Sequence, residues 1–481
     1  MFNNAEYKFT EYSFNIIEDA MFVGRKRELE ILQKELQKKS TAVMIYGKRK
    51  IGKTTLIKQA VNASAGRFVY FECLKGTMRE NIDAFTAELV RAGVFPAPFV
   101  FNSFIDLFAY LNTLPGSLTV IIDEYPYLKY MNPAETVDSI FQSIIDNRIS
   151  NIRLILSGSH IAMMKDLLKE DNALYGRFKQ TIVLRELNYL LSSVFYNDLS
   201  PYDKAAFYGV FGGSPYILEQ LDAGKSLREN IEETLLNENN AVYIYADQLL
   251  LSDYSASMNA ERIFSVLGNG SKRYKEIEQK LDMNRTGMLS KQLKQLTELE
   301  IIGRNIPINK PDDKKKSTYF INDNLLRFFY TYIYRNKSAL QMLGPDAFYE
   351  TMIAPTISDF VSRRFEGVCR QYFSLMVRSG RIKGVRNIGS YYYDDPVHKK
   401  NGEFDVALDY GDSCCIIEAK YSSKPMESDE IHHEISQMEE IQEINVRQYG
   451  FVSVHGFENR EKGCLYFDGD DLYDPALIHV Q

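Results

Sequence analysis

Tryptophan is absent from this chain, and cysteine is scarce: Cys73, Cys369, Cys414, Cys415 and Cys464 among 481 residues. The five are odd in number, scattered and without a C-x-x-C pair. That argues against a disulfide framework or a zinc module and predicts reduced thiols in a cytoplasmic setting. No apolar run approaches the ~20 residues of a membrane-spanning helix, so no membrane partner is expected. The opening MFNNAEYKFTEYSF is polar and aromatic, with no basic region followed by an apolar one, so no signal peptide is expected. Internal repeats and low-complexity tracts are missing as well. A net charge of −7 gives no global attraction to nucleic acid. The length exceeds what one core supports and predicts two to four domains. With 45% apolar and 25% charged residues, the composition is that of an ordinary globular protein.

Gly47-Lys48-Arg49-Lys50-Ile51-Gly52-Lys53-Thr54 reads G-x-x-x-x-G-K-T, followed by Thr55. An apolar strand precedes it (41–46) and a helix follows, which is the setting of a phosphate-binding loop. The glycines let the backbone N–H groups of Gly47, Lys50, Ile51, Gly52 and Thr55 wrap phosphates at a helix N-terminus. Lys53 is expected to reach the β- and γ-phosphates of ATP, and the Thr54 hydroxyl to bind Mg²⁺. The basic Lys48, Arg49 and Lys50 are either solvated bystanders or extra charge for phosphates or an acidic partner. Upstream, Phe22-Val23-Gly24-Arg25 opens an amphipathic helix with Leu29, Leu32 and Leu36 on one stripe. It is either a packed helix or a contact to the base or ribose.

Residues 118–124 form an apolar strand ending in Asp123 and Glu124. A buried strand that delivers two acids needs a partner for them. Asp123 would hold Mg²⁺ together with Thr54, and Glu124 would polarise the attacking water. The strand at 152–159 ends in Ser157 and Ser159, either of which could sense the γ-phosphate or, for Ser159, cap the next helix. Arg177 is a candidate for stabilising phosphate charge, in cis or across a subunit interface, against the plainer reading of a surface ion pair. From 186 to 257 the pattern is helical. Gly212-Gly213-Ser214-Pro215 breaks it, as in a lid over nucleotide or a simple helical corner.

Residues 258–322 read as three helices and a β-hairpin, a winged helix. Between 258 and 320 there are 13 Lys and Arg against 8 Asp and Glu, a surplus of 5 in an acidic chain. Arg285, Lys291 and Lys294 lie on or near the third helix, and Lys314, Lys315 and Lys316 at the wing tip, where they would contact DNA phosphates. The alternative is a winged helix that binds a protein partner. A linker helix spans 323–345. In 346–481, a helix around 360–373 carries Glu366, a strand carries Asp405, and the next strand carries Glu418 and Lys420 on one face. Two carboxylates can hold Mg²⁺ and the lysine can orient water for phosphodiester hydrolysis. Ion-paired strand residues are the competing reading.

VGRxxEL, the GxxxxGKTT loop, the strand with Asp-Glu, LILSGS, LYGR and GGSPYIL resemble, in that order, the archaeal-type ATPases, P-loop proteins of AAA-like kind near the signal-transducing STAND group. The resemblance covers about residues 20–220. It implies a parallel ASCE-type sheet, an ATP site, a functional role for Arg177, and a lid whose Pro215 turn approaches the nucleotide. The order Glu366, Asp405, Glu418-x-Lys420 and a helix near 427–442 resembles the PD-(D/E)XK nuclease fold, though the proline that heads that motif is absent. The expected layout is an arm (1–20), an α/β P-loop core (21–185), a helical lid (186–257), the winged helix (258–322), the linker (323–345) and the nuclease-like domain (346–481). Two functions remain open at this stage. One is an ATPase that couples nucleotide state to DNA binding and Mg²⁺-dependent cleavage. The other is a STAND-like switch whose nuclease-like domain is inactive and binds protein partners. A homo-oligomer is compatible with either.

Overall fold

The runs at 41–46, 118–122 and 152–156 are apolar without alternation. Strands of that composition belong in a sheet covered on both faces. A computed structural model of the chain places them there. It describes residues 22–64, 66–253, 260–282, 287–313, 315–395, 400–439, 441 and 444–480. The expected arm, Arg285 and Lys314 lie outside the described residues. Two compact units result, 1–185 and 186–481.

The first unit runs α1 (Lys26–Leu36), β1 (Thr41–Gly47), α2 (Lys53–Asn62), β2 (Arg67–Glu72), α3 (Met78–Arg91), α4 (Phe104–Leu111), β3 (Leu118–Asp123), α5 (Ala134–Asn147), β4 (Ile152–Gly158), α6 (Ile161–Asp166) and β5 (Gln180–Leu184). The strands form one parallel sheet in the order β2-β3-β4-β1-β5. Alternate side chains divide between its faces. Val43, Ile45, Ile121, Ile155 and Ile182 pack under α1 and α2 with Leu32, Leu36, Leu56 and Ile57. Met44, Val69, Phe71, Val120, Ile122, Leu154 and Leu156 pack with Phe85, Phe104, Phe108 and Phe141 on the other face. β3 and β4 are buried along their whole length. Thr77 caps α3 in a capping box with Glu80, and Ser103 caps α4, so both helices start where their polar residues dictate.

The second unit begins with the helices α7 (Tyr189–Ser192), α8 (Pro201–Phe211), α9 (Pro215–Leu218), α10 (Leu227–Thr234) and α11 (Ala241–Asp253). The winged helix follows as α12 (Ala260–Leu267), β6 (Lys272–Arg273), α13 (Tyr274–Leu281), α14 (Met288–Glu298), β7 (Ile302–Asn305) and β8 (Thr318–Ile321), with sheet order β6-β8-β7. Then come α15 (Asn324–Phe328), α16 (Lys337–Phe348) and α17 (Ile357–Arg378). α17 lies ahead of a mixed sheet of β9 (Asn387–Asp395), β10 (Lys400–Asp409), β11 (Cys414–Lys420), β12 (Val446–Ser453) and β13 (Leu465–Phe467). α18 (Ser428–Glu439) connects β11 to β12, and α19 (Gly469–Leu472) and a 3-10 turn at Pro475–Leu477 follow β13. The sheet order is β13-β12-β11-β10-β9, antiparallel from β9 to β11 and parallel from β11 to β13.

The segment expected as one linker helix is helical but not a single α-helix: α15 passes into a π-helical turn at Phe329–Ile333 and a 3-10 turn at Tyr334–Asn336 before α16. The tip of the wing is docked. Ile308 donates its N–H to Ser390 O at 2.8 Å, and the Asn309 side chain both donates to Tyr392 O and accepts from Tyr392 N. Its target is β9, the outer strand of the mixed sheet. Among the described residues no helix is long and apolar enough to cross a membrane.

Candidate functional site

The glycine loop crosses the carboxyl end of β1 and leads into α2, with Gly52 in the left-handed region at φ 95°. Gly47 has no room for a side chain, since a Cβ there would stand 2.3 Å from Leu184 O. Ile51 is buried beneath the loop, and Lys50 and Thr55 are exposed on it. Lys53 is buried and folds back over the loop, donating to Gly47 O and Lys48 O at 3.0 Å each. The helix that Arg25 precedes packs on the sheet through Leu32 and Leu36, and Arg25 itself braces the loop by donating to Ile51 O at 3.5 Å and to Arg185 O. Arg49 donates to Tyr127 Oη in the turn that follows Glu124, so this loop cation is engaged inside the unit.

Asp123 ends β3 and is 4% exposed. Its Oδ1 accepts from Glu124 N at 2.9 Å. Its Oδ2 accepts from Thr54 Oγ1 at 3.2 Å and from Tyr70 Oη. The pair Thr54–Asp123 fits Mg²⁺, which takes few protein oxygens and completes its shell with water and substrate phosphates. Glu124 follows with φ 49°, a left-handed conformation that a non-glycine residue rarely adopts. Its Oε2 accepts from Ser159 N at 3.1 Å and from Ser159 Oγ at 2.8 Å. The cap of α6 is His160 rather than Ser159. Ser157 is fully buried and its hydroxyl has no hydrogen-bond partner among the described residues.

Arg177 is not brought to this loop. Lys179 N–H binds Ala42 O and Gln180 pairs with Val43, so Arg177 stands at the amino ends of the strands. The loop lies at their carboxyl ends. Its guanidinium is held by Asp146, Nε to Oδ1 at 3.0 Å and Nη2 to Oδ2 at 2.9 Å. In this structure Arg177 therefore meets Asp146 and not the glycine loop. Pro215 belongs to the second unit and is the first residue of α9. The neighbouring Gly213 is required by close approach: a Cβ there would stand 1.9 Å from Leu187 O.

In the mixed sheet a β-bulge aims Asp405. Pairing with β9 runs Phe404↔Tyr391 and then Ala407↔Gly389, so Asp405 and Val406 oppose one residue, Ser390. Across the other edge, Val406 pairs with Ile417, which sets Asp405 beside Glu418. Arg370 on α17 holds Asp405 O at 2.7 Å and lies 4.0 Å from Glu366. Burial, then the charges of Glu366, Glu403 and Glu434, push the Asp405 carboxyl up to about 7. Burial, then Asp405, Glu434 and Glu366, push Glu418 up to about 9. Glu366 is raised as well, chiefly by burial. Lys420 is paired with Glu430 of α18, whose hydrogen bond raises its pKa. Glu430 and Glu434 were not singled out from sequence; their i, i+4 spacing on a helix after the E-x-K strand was the available signal. Among the described residues, no group of three or more His, Cys, Asp and Glu side chains is arranged to hold a metal ion by itself. Asp405 and Glu418 fit an ion that also takes phosphate oxygens and water.

Of the basic residues expected on the winged helix, Lys291 and Lys294 are exposed on α14, Lys294 with Glu298 3.8 Å away. Lys316 is not free to meet a phosphate in this structure. Its ammonium sits 3.8 Å from the centre of the Tyr392 ring.

Residues 22–221 match a family described as an ATPase domain predominantly from Archaea. Residues 260–321 match HxlR-like helix-turn-helix proteins, and 329–434 match Archaea bacterial proteins of unknown function. The chain is similar to an uncharacterized protein of Methanocaldococcus jannaschii, 25% identical over 462 residues that cover 94% of this chain and all of that one. An uncharacterized ATP-binding protein of the same organism is 48% identical over 40 residues, 8% of this chain and 68% of its own. Among solved structures, a Walker-type ATPase of Pyrococcus abyssi overlays with a TM-score of 0.48 at 17% identity, covering 64% of this chain and 96% of that one.

Proposed function

We propose that this chain, an enzyme with a P-loop ATPase domain, uses ATP to control DNA binding and Mg²⁺-dependent phosphodiester cleavage. The observation that carries the DNA-cleavage half is the bulge that turns Asp405 toward Glu418, with Glu366 beside them and Lys420 on the same strand face. In the ATP site, Gly47, Lys50, Ile51, Gly52 and Thr55 wrap the phosphates, and Lys53 leaves its carbonyl partners to meet them. Thr54 and Asp123 hold Mg²⁺, which would neutralise charge developing on the transferred phosphoryl group. Glu124 orients the attacking water. Arg177 serves the site of a neighbouring copy, and Pro215 belongs to a lid. In the second site Asp405 and Glu418 hold Mg²⁺ against a DNA phosphate, and Lys420 donates to the scissile phosphate or the water. Exposed Lys291 and Lys294 of α14 supply phosphate contacts to the duplex.

A second reading has one observation in its favour. The docked wing, with Lys316 over Tyr392, resembles an internal brace more than a DNA probe. In that reading the chain is an ATP-driven signalling switch whose C-terminal domain binds a protein partner.

Purified full-length protein separates them. Lys53→Ala is expected to abolish ATP turnover. Asp405→Ala and Glu418→Gln are expected to abolish Mg²⁺-dependent plasmid nicking with ATP turnover intact. Full hydrolysis by Lys53→Ala overturns the ATP site. Wild-type protein that hydrolyses ATP yet never nicks DNA, with or without Mg²⁺, leaves the switch.

A further inference from the structure

Tyr70 reaches the carboxylate of Asp123 from the neighbouring strand. β2 pairs with β3 so that Tyr70 lies opposite Ile121 and Glu72 opposite Asp123. The Tyr70 ring packs on the face of the sheet covered by α2, with the Lys58 ammonium 5.9 Å from its centre. Its hydroxyl donates to Asp123 Oδ2, the oxygen that also faces Thr54 Oγ1.

We infer that Tyr70 is a positioning residue for the nucleotide-bound cation. The inference rests on Asp123 being the metal-side carboxylate, as proposed above. Two donors approach Asp123 from opposite sides, Glu124 N at Oδ1 and Tyr70 Oη at Oδ2. Together they fix rotation of the carboxylate about its Cβ–Cγ bond. In the loaded site the Thr54 hydroxyl is shared with the ion, so Tyr70 Oη and Glu124 N are the donors to Asp123 that belong to the protein alone. Loss of the phenol removes one of the two donors that direct the Asp123 carboxylate and so weakens its hold on the ion. Partners of this kind set metal affinity by about 10–100-fold. Lys58 over the ring keeps the phenol against the sheet.

The test is titration calorimetry of ATP on the full chain, in EDTA and in Mg²⁺. The readout is the ratio of the two Kd values, which is the benefit that Mg²⁺ confers. Tyr70→Phe keeps the ring packing and is expected to shrink this ratio by about tenfold, with the EDTA Kd unchanged. Asp123→Asn is expected to abolish it, and the double variant to add nothing to Asp123→Asn, because Tyr70 acts through Asp123. A Tyr70→Phe ratio equal to wild type overturns the proposal when Asp123→Asn shrinks it. If neither variant changes the ratio, the assignment of Asp123 falls and Tyr70 with it. A Tyr70→Phe protein that loses ATP affinity equally in EDTA reports a structural role and also overturns it.

Discussion

Ser159 ends on one oxygen of Glu124 with two donors, its backbone N–H and its hydroxyl. If Glu124 orients the attacking water as proposed, Oε1 is left for that water and Ser159 takes the part of an orienting residue. Hydrogen bonds to a charged group contribute roughly 1.5–3 kcal/mol, so losing the hydroxyl alone costs on the order of tenfold in rate. Steady-state kinetics of Ser159→Ala should therefore show kcat down about tenfold at unchanged KM for ATP; a raised KM with kcat intact would mean that Ser159 touches the nucleotide. The reach of sequence is visible in these residues. Lys53, Thr54 and Asp123 were legible because their chemistry demands a local pattern, a loop between strand and helix and an acid at a strand end. Tyr70 was not, because its contact exists only once β2 lies beside β3. Nothing within the segment Arg67–Glu72 specifies that neighbour. Ser159 was noticed for its position at a strand end, while its partner depends on β4 lying next to β3.

The hairpin of β10 and β11 shows the same division among elements. Alternation through 402–410 and the apolar start of 413–421 gave the two strands, and period 2 gave the shared face of Glu418 and Lys420. The bulge at Asp405 was not legible, because Glu403 to Val406 alternates as a regular strand does and the apolar Val406-Ala407-Leu408 that follows also suits a buried strand. Winged-helix elements were readable within a residue or two, but the docking of the wing was not, since its partner lies about 80 residues later. The carboxyl pair has a thermodynamic signature. Burial and mutual repulsion among Asp405, Glu418, Glu366, Glu403 and Glu434, opposed by Arg370 and Lys420, raise Asp405 to about 7 and Glu418 to about 9. The folded state thus prefers the protonated acids. Their contribution to stability is full below the ordinary carboxylate range near pH 4 and is lost as pH rises through 7 and then 9. In the proposed nuclease-like site, a divalent cation would take the place of those protons. Scanning calorimetry should show Mg²⁺ raising the midpoint of the C-terminal unit near pH 8.5 and doing little near pH 5.5. Asp405→Asn should raise the metal-free midpoint at the higher pH and reduce the Mg²⁺ increment.

At the scale of the molecule, the helices that follow the ATPase sheet belong to the same compact unit as the C-terminal sheet. Gln371 of α17 accepts from Tyr189 N at 3.1 Å and donates to Tyr208 Oη at 3.2 Å. Tyr189 Oη donates to Leu472 O at 2.6 Å, and Tyr202 stacks on Tyr421 with ring centres 4.4 Å apart. Tyr189, Tyr208 and Tyr473 are all buried. Emptying the surroundings of even two such aromatics costs about 6–10 kcal/mol, as much as the roughly 5–15 kcal/mol that holds a domain together. Removing residues 346–481 should therefore unfold 186–257 as well. Limited proteolysis of the truncated chain should degrade that stretch and spare 22–185, whereas a protected stretch would show that it folds independently. The docked wing carries a different consequence. An outer strand presents a row of unpaired N–H and C=O groups that can template a strand from another molecule. Ile308 and Asn309 occupy part of that row on β9 and Lys316 lies over its Tyr392. The wing thereby covers part of an edge that would otherwise be open to pairing with another strand.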